Sequence, residues 1–165
     1  MRTGLQNELE CDAMQLDRGT LERHFGDLWP VHNHGFTSLL IECRKHFDGD
    51  LNAMLVLAVM GDRTLPSERV RGLSYDDFRS GRRTEVQKKL INVQSIADST
   101  GIPRETVRRK VAWLIERGWV EKDGAGALLV TTQAAVDLAP ATRATFEYLL
   151  AVGNGLLRMV GPTCD

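Results

Sequence analysis

The residue types between positions 104 and 109 are suited to contacting the edges of base pairs. Three guanidinium groups, a carboxylate and a hydroxyl occur within this short stretch: Arg104, Glu105, Thr106, Arg108 and Arg109. A guanidinium can donate two parallel hydrogen bonds to guanine, and a carboxylate can accept one from the amino group of cytosine. We therefore expect these side chains to contact double-stranded DNA.

Such contacts need a helix with one buried and one exposed side, and the surrounding sequence predicts it. The apolar residues that follow are spaced as one helical face, opposite the charged residues: Val107, Val111, Leu114 and Ile115. Pro103 suits the first turn of this helix, where a missing N–H costs nothing. Gly101 can adopt the positive φ that ends an earlier helix, and Ala97 allows the two helices to cross closely. The sequence predicts a helix-turn-helix, with Gln94 of its first helix as a further DNA contact.

A β-hairpin is predicted directly after the second helix. Residues 119–122 alternate apolar and polar side chains, 123–127 form a Gly-rich turn, and 128–131 form a second short strand. The run from Leu90 to Val93 is a candidate third strand. Together these elements predict a winged helix-turn-helix, in which Lys122 of the hairpin also contacts DNA.

Two stretches of this region resemble known bacterial regulators. Residues 101–109, Gly-Ile-Pro-Arg-Glu-Thr-Val-Arg-Arg, resemble the helix-turn-helix of the cyclic-AMP receptor protein family, in which Arg-Glu-Thr-Val opens the recognition helix. Residues 114–122 resemble a wider set of winged-helix regulators that includes the MarR and GntR families. Their Leu-x-x-x-Gly-apolar-apolar pattern marks the end of the recognition helix and the first wing strand. Lys110 stands where the cyclic-AMP receptor family usually has an aliphatic residue. The resemblance covers 93–132 and implies a DNA-binding transcriptional regulator.

The chain as a whole is expected to be mainly α-helical, with helices on both sides of the winged helix-turn-helix. We divide it into an N-terminal helical segment (1–47), the winged domain (48–131) and a C-terminal helical segment (132–165). Within the winged domain, 61–89 contain Pro and Gly residues and alternating charges. This stretch is expected to be a long connection with one helical turn near 75–78.

Two helices are predicted before this connection. Helical spacing extends from Phe36 to Phe47, whereas the sequence around Trp29-Pro30 is typical of a loop. Asp50 is suited to cap a helix over Leu51–Met60, which would lie behind the helix-turn-helix.

The C-terminal segment predicts a homodimer. Thr131 or Thr132 is expected to cap a short helix, and Pro140 to mark a break. A final helix over 141–160 then has an apolar set too large for its own small domain: Phe146, Leu149, Leu150, Leu156, Leu157 and Met159. We expect it to pack on another subunit or on the N-terminal helix.

Charge is distributed unevenly along the chain. The formal net charge is −1, yet residues 81–122 contain ten Lys and Arg against five Asp and Glu. A basic patch on an acidic body is typical of a protein that neutralises a few phosphates. Arg82, Arg83, Lys88 and Lys89 either contact phosphates or form a solvated loop.

Neither catalysis nor a cofactor is indicated. His32, His34, Cys43 and His46 include usable ligand spacings, but no carboxylate or second cysteine completes a metal site. Phosphate-binding loops and nucleophile motifs are not found in the sequence.

The compartment is expected to be the cytoplasm. The cysteines Cys11, Cys43 and Cys164 are widely spaced and match no paired motif, which is typical of a reduced protein. The sequence has no signal peptide pattern, and its longest apolar run, 53–60, is too short to span a bilayer.

The sequence thus favours a sequence-specific regulator that binds double-stranded DNA as a homodimer. The alternatives are a winged helix used for protein interaction, and a replication or segregation DNA binder that regulates no promoter. The exposed arginines favour DNA as the partner. Whether a small-molecule effector exists is left open, and no membrane partner is expected.

Overall fold

The computed structural model describes residues 16–64, 71–81 and 91–160. In these residues the helices are α1 Arg18–Arg23, α2 Phe25–His46, α3 Leu51–Thr64, α4 Tyr75–Arg79, α5 Val93–Thr100, α6 Arg104–Glu116, α7 Thr132–Asp137 and α8 Ala139–Val160. Strands β1 Val120–Lys122 and β2 Leu128–Val130 pair antiparallel. The predicted class is confirmed: a winged helix-turn-helix with helices on both sides.

The core of the winged domain forms where α3 packs against both α5 and α6. Val56 and Met60 of α3 have no exposed surface, and neither has Ile96 of α5. The predicted apolar face of α6 is confirmed, since its side chains Val107 and Leu114 are completely buried. Burying a side chain of this size contributes about 1.5–3 kcal/mol. The helix-turn-helix is therefore held from behind by α3, as the sequence predicted.

The turn between α5 and α6 has the predicted glycine geometry. Gly101 is left-handed, with φ of 70°, and its N–H donates to the carbonyl of Ala97 at 2.9 Å. Ala97 itself is buried. Pro103 was expected inside the first turn of α6, but it precedes the helix as its N-cap, with ψ of 135°. The extended ψ redirects the chain after the left-handed turn, so the helix begins one residue later, at Arg104.

A second left-handed glycine connects α6 to the hairpin. Gly118 has φ of 71°; its N–H donates to Ile115, and the next N–H, of Trp119, donates to Leu114 at 3.0 Å. This pair of hydrogen bonds is a Schellman motif, which satisfies the last carbonyls of a helix. It is the physical origin of the Leu-x-x-x-Gly-apolar pattern in the sequence.

The hairpin is confirmed, but its expected third strand is wrong. β1 and β2 pair with Val120 opposite Val130, and the carboxylate of Asp123 accepts two backbone N–H groups in the turn. Ile91 is not in a strand, although its carbonyl accepts one hydrogen bond from the N–H of Leu128 at 3.0 Å. Val93 already begins α5, because the capping of that helix prevails; Leu90 lies outside the described residues.

The N-terminal helix is longer than predicted. α2 begins at Phe25, so the loop expected around Pro30 is wrong and the proline lies inside the helix. Gly35 lies inside α2 and close to α8, since a Cβ there would be 2.9 Å from the ring of Tyr148. Extensive packing of α2 along α8 stabilises the helix despite the hydrogen bond that Pro30 cannot donate.

The boundaries of three other elements also differ in part from expectation. Asp50 accepts from the N–H of Ala53 as predicted, but α3 continues past Met60 to Thr64. Thr131 caps α7 as predicted, whereas α8 begins at Ala139, so Pro140 lies in its first turn. A proline is favoured at that place because the N–H groups of a first turn have no helical acceptor. The predicted helical turn near Tyr75–Phe78 is α4, and residues 65–70 and 82–89 of the connection lie outside the described residues.

Lys110 has a structural role that its sequence context did not reveal. Its ammonium forms a half-buried salt bridge with Asp50, the residue that caps α3. Burial alone would raise the pKa of Asp50, but the hydrogen bonds from Lys110 and from the N–H of Ala53 outweigh it and lower the pKa. The salt bridge ties α6 to the start of α3. None of the described helices is both long and apolar enough to cross a membrane.

Two identical substitutions should affect stability in opposite directions. In Gly101→Ala, the new methyl group has open space, but the left-handed backbone should cost about 1 kcal/mol. Gly61 lies within α3, also with open space, so Gly61→Ala should stabilise the protein by up to about 1 kcal/mol. Urea unfolding of the two variants measures both changes. Shifts of equal sign would contradict the backbone assigned to Gly101.

The salt bridge at Asp50 should make stability depend on pH. In the folded protein the pKa of Asp50 lies below the ordinary value of about 3.9. The stabilisation from its salt bridge is therefore fully present above that pH and is lost as the pH falls through the folded-state pKa. Asp50→Asn retains a capping side chain and should cost roughly 0.5–1 kcal/mol at pH 7, with the cost shrinking below pH 4. Urea unfolding between pH 7 and 3 tests this. In a Lys110→Met background, the cost of Asp50→Asn should change much less with pH. If this cost changes with pH as it does in the wild type, Lys110 is not the cause.

Candidate nucleic-acid interface

The exposed side of α6 presents the charged residues that the sequence singled out. Arg104, Glu105, Arg108 and Arg109 are all exposed, and Thr106 is half-buried. Their orientation follows from the opposite face of the helix, which is buried against α3. The structure thus places these five residues on the outer side of the second helix of the helix-turn-helix.

A surface hollow of about 320 Å³ brings together residues from three elements. Gln94 comes from the first turn of α5, Arg104 from the start of α6, and Lys122 from the end of β1. These residues are distant in sequence, and each was predicted separately as a DNA contact. Two cationic side chains and an amide around one concave surface form a suitable environment for a phosphate or a base edge.

Arg104 is the most available of the three arginines on the outer side of α6. It lines this hollow and also an adjoining one, which it shares with Val93, Glu105 and Arg108. Within the described part of the chain, no hydrogen bond, salt bridge or aromatic contact engages its guanidinium. Its five N–H donors are therefore free to bind an external acceptor.

Arg108 and Glu105 are paired with each other. The carboxylate of Glu105 accepts from Nε of Arg108 at 2.9 Å and from Nη2 at 2.6 Å. This hydrogen bonding, together with the charges of Arg108, Arg109 and Arg104, lowers the pKa of Glu105. Both side chains are about two-thirds exposed, so water screens the pair and its rearrangement costs little.

Arg109 and Gln94 make weaker or more local contacts. Nη2 of Arg109 lies 3.4 Å from the hydroxyl of Thr106, which is a long hydrogen bond. Arg109 lines neither of the two hollows and lies further along the outer face of α6. The amide of Gln94 donates to Asp98 on its own helix at 2.7 Å. The predicted contacts therefore form a cluster around Arg104, with Arg109 separate from it.

Sequence reasoning missed Asn92. Its side chain accepts from the N–H of Ser95 at 2.9 Å, which caps α5, and it lines the hollow beside Arg104. The signal was present, since Asn-x-x-Ser before an apolar helical pattern is a capping sequence. The N-terminus of α5 is thereby fixed next to the cationic side chains.

Two of the ten basic residues between positions 81 and 122 serve the protein's own structure. Lys110 pairs with Asp50, and Arg117 pairs with Asp48 while its guanidinium lies 4.3 Å from the ring centroid of Trp113. Four more, at 82, 83, 88 and 89, lie outside the described residues. The other four are Arg104, Arg108, Arg109 and Lys122, of which Arg108 is paired with Glu105 and Arg109 lies apart from the hollow that Arg104 and Lys122 share.

Two of the histidines considered as metal ligands, His32 and His46, have other side-chain contacts. Nδ1 of His32 shares a hydrogen bond with the hydroxyl of Tyr148 at 2.9 Å, and His46 contacts Glu42 at 3.3 Å. Burial raises the pKa of the Cys43 thiol. No three His, Cys, Asp or Glu side chains of the described ranges gather into a group that could hold a metal ion.

Comparison with protein families supports the same region as a DNA-binding domain. The model of the IclR helix-turn-helix domain matches residues 85–124, which include α5, α6 and β1. The resemblance to the cyclic-AMP receptor, MarR and GntR families is not confirmed by this match. Neither the curated proteins nor the solved structures gave a match. The chain carries a winged helix-turn-helix of the kind found in bacterial DNA-binding transcriptional regulators.

Proposed function

We propose that this protein is a transcriptional regulator that recognises a specific sequence in double-stranded DNA as a homodimer. The observation that carries the proposal is the free, exposed guanidinium of Arg104 at the start of α6, beside Lys122 of the wing. In helix-turn-helix proteins the N-terminal residues of the second helix enter the major groove and contact base edges. Such a regulator would work at the nucleoid, in the cytoplasm.

The geometry supports a different role for each candidate residue. Arg104 and Arg109 are the candidates for bidentate contacts to guanine, and Glu105 for a contact to cytosine. Arg108 is held by Glu105 in the free protein and would bind an adjacent phosphate or base once released. Lys122 and Gln94 are suited to the phosphate backbone, which fixes the register of the protein on DNA. Thr106 contributes its hydroxyl from the edge of this face.

The dimer proposal rests on the free face of α8. One side of this helix packs along α2, which leaves a stripe of exposed apolar residues on the other: Phe146, Leu149, Leu150 and Leu157. Leu149 and Leu150 are 58% exposed and Leu157 is 66% exposed. Leu156, expected in the same stripe, is half-buried instead. A second copy would cover this stripe and would supply the second reading helix that affinity at cellular salt usually needs.

The alternative functions differ in how binding responds to salt and sequence. A protein-interaction module has no need to retain a free, solvent-exposed Arg104. A replication or segregation protein would bind DNA but leave transcription unchanged. Retention on heparin with a steep salt dependence distinguishes the first alternative, and genomic footprinting of the tagged protein distinguishes the second.

Base reading is tested by selecting a binding site from random duplexes and measuring Kd by fluorescence anisotropy. Arg109→Ala should cost about 1–3 kcal/mol on the selected site and less on random DNA. Lys122→Ala should weaken both similarly and reduce the salt slope by about 1. Arg18→Ala, which removes an exposed charge from α1, is the matched control and should change neither. Equal losses on both DNAs for Arg109→Ala would show that Arg109 only holds phosphate.

Dimerisation is tested by sedimentation at tens of micromolar. The double variant Leu150→Glu/Leu157→Glu should be a folded monomer that binds a palindromic site weakly, because two charges cannot be buried in an apolar interface. Leu21→Glu places the same charge on an exposed leucine of α1 and should remain dimeric. If the wild-type chain is monomeric, the dimer proposal fails and the stripe has another role.

A further inference from the structure

A further concave region lies behind the wing, away from the charged face of α6. It is a cavity of about 250 Å³ with walls from α2, α3, α4, β2, α7 and α8. Phe47, Leu57 and Leu138 provide large apolar surfaces in these walls. The space exists because several neighbouring positions have small side chains: Ala58, Gly61, Ala134, Ala135 and Ala141.

The lining restricts the chemistry of a ligand. Among the described residues that line the cavity, none is charged. The hydroxyl of Thr131 already donates to the carbonyl of Gly118, and that of Thr142 donates to Leu138. A charged group held against these walls would lose part of its hydration without a charged partner among the described residues, which is unfavourable. The cavity therefore favours an uncharged, apolar molecule.

The volume of the cavity restricts the class of ligand further. An apolar cavity of roughly 150 Å³ can hold benzene. At about 250 Å³ this cavity has room for a fused two-ring aromatic or a branched aliphatic of similar volume.

The walls connect the cavity to the candidate DNA interface. Thr131 lines the cavity, and its N–H and hydroxyl donate to Trp119 and Gly118, the two residues that lead from α6 into the wing. Leu57 and Gly61 of α3 line it too, while Val56 and Met60 of the same helix pack in the core around α5 and α6. A ligand that changed the distance between α3 and β2 would thus act on the recognition helix and on the wing together.

We propose that this cavity binds a small, uncharged, apolar ligand of about two fused rings, and that its occupancy changes the affinity of the winged domain for DNA. The regulatory part of this proposal rests on the proposed function, because there must be a DNA complex for the ligand to regulate. A ligand that binds one of two conformations of the protein more tightly shifts the population toward that conformation. The size of the shift is set by the ratio of its affinities for the two conformations.

Indole is a suitable probe for the full-length protein, with indole-3-carboxylate as its charged counterpart. Calorimetry should show one indole per chain, with a Kd of roughly 10 µM to 1 mM. The carboxylate should bind at least tenfold more weakly. No binding of indole, or equal binding of both compounds, would overturn the proposal.

A matched pair of glycine variants locates the site. Gly61→Leu places a side chain from α3 into the cavity and should weaken indole at least tenfold; Gly26→Leu adds the same side chain at an exposed helical glycine of α2 and should not. Circular dichroism checks that both fold, and Ala135→Leu is a second filling variant should Gly61→Leu unfold. Unchanged indole binding in a folded filling variant would place the indole elsewhere and refute the site.

Regulation is measured separately, on the DNA site selected in vitro. Saturating indole should change the DNA Kd severalfold in the wild type and in Gly26→Leu, but not in Gly61→Leu. An unchanged Kd in the wild type would refute the regulatory role. A wild type that binds no DNA at all would refute the proposed function instead, while calorimetry on the DNA-free protein still decides the ligand site.

Discussion

The burial of α3 against the helix-turn-helix is the constraint on which the rest of the structure depends. Val56 and Met60 of this helix are completely buried, and the helix packs against both α5 and α6. Close packing leaves few alternative arrangements, because side chains in a dense core cannot shift without losing contacts. The exposed arginines of α6 are therefore directed by apolar residues on the other side of the same helix, and not by contacts of their own.

Polar contacts define the ends of these elements more than their interiors. Asp50 caps α3 and also holds Lys110 of α6, so one carboxylate fixes two helices relative to each other. Arg117 serves a similar purpose just after the last residue of α6, where it lies over Trp113 and Trp119 and pairs with Asp48. Charges near a candidate DNA interface thus divide into those that build it and those available to a ligand. The residue type alone does not distinguish the two groups.

Local signals in the sequence predicted the winged domain well. Gly101 is left-handed and Asp50 caps its helix, both as predicted, because each feature is decided within a few residues. The predicted start of α2 was wrong because it depends on residues that are distant in sequence. Pro30 and Gly35 are unfavourable inside a helix locally, yet packing against α8, more than 100 positions away, outweighs them. The partners of Lys110 and Arg117 were equally invisible, since they too depend on distant residues. The DNA contacts remain predictions, although the structure places Gln94, Arg104 and Lys122 around one hollow.

The hydrogen bonds of Thr131 have a consequence for the spacing of the sites that a dimer could read. Thr131 caps α7 and bonds to Gly118 at the end of the recognition helix, and Asp137 of α7 accepts from the indole of Trp119 at 2.8 Å. One residue, Leu138, then separates α7 from α8. A dimer formed through α8 would hold its two reading helices on short, stiff connections. Because each inserted base pair rotates one half-site by roughly a tenth of a turn, such a dimer would tolerate little variation in operator length.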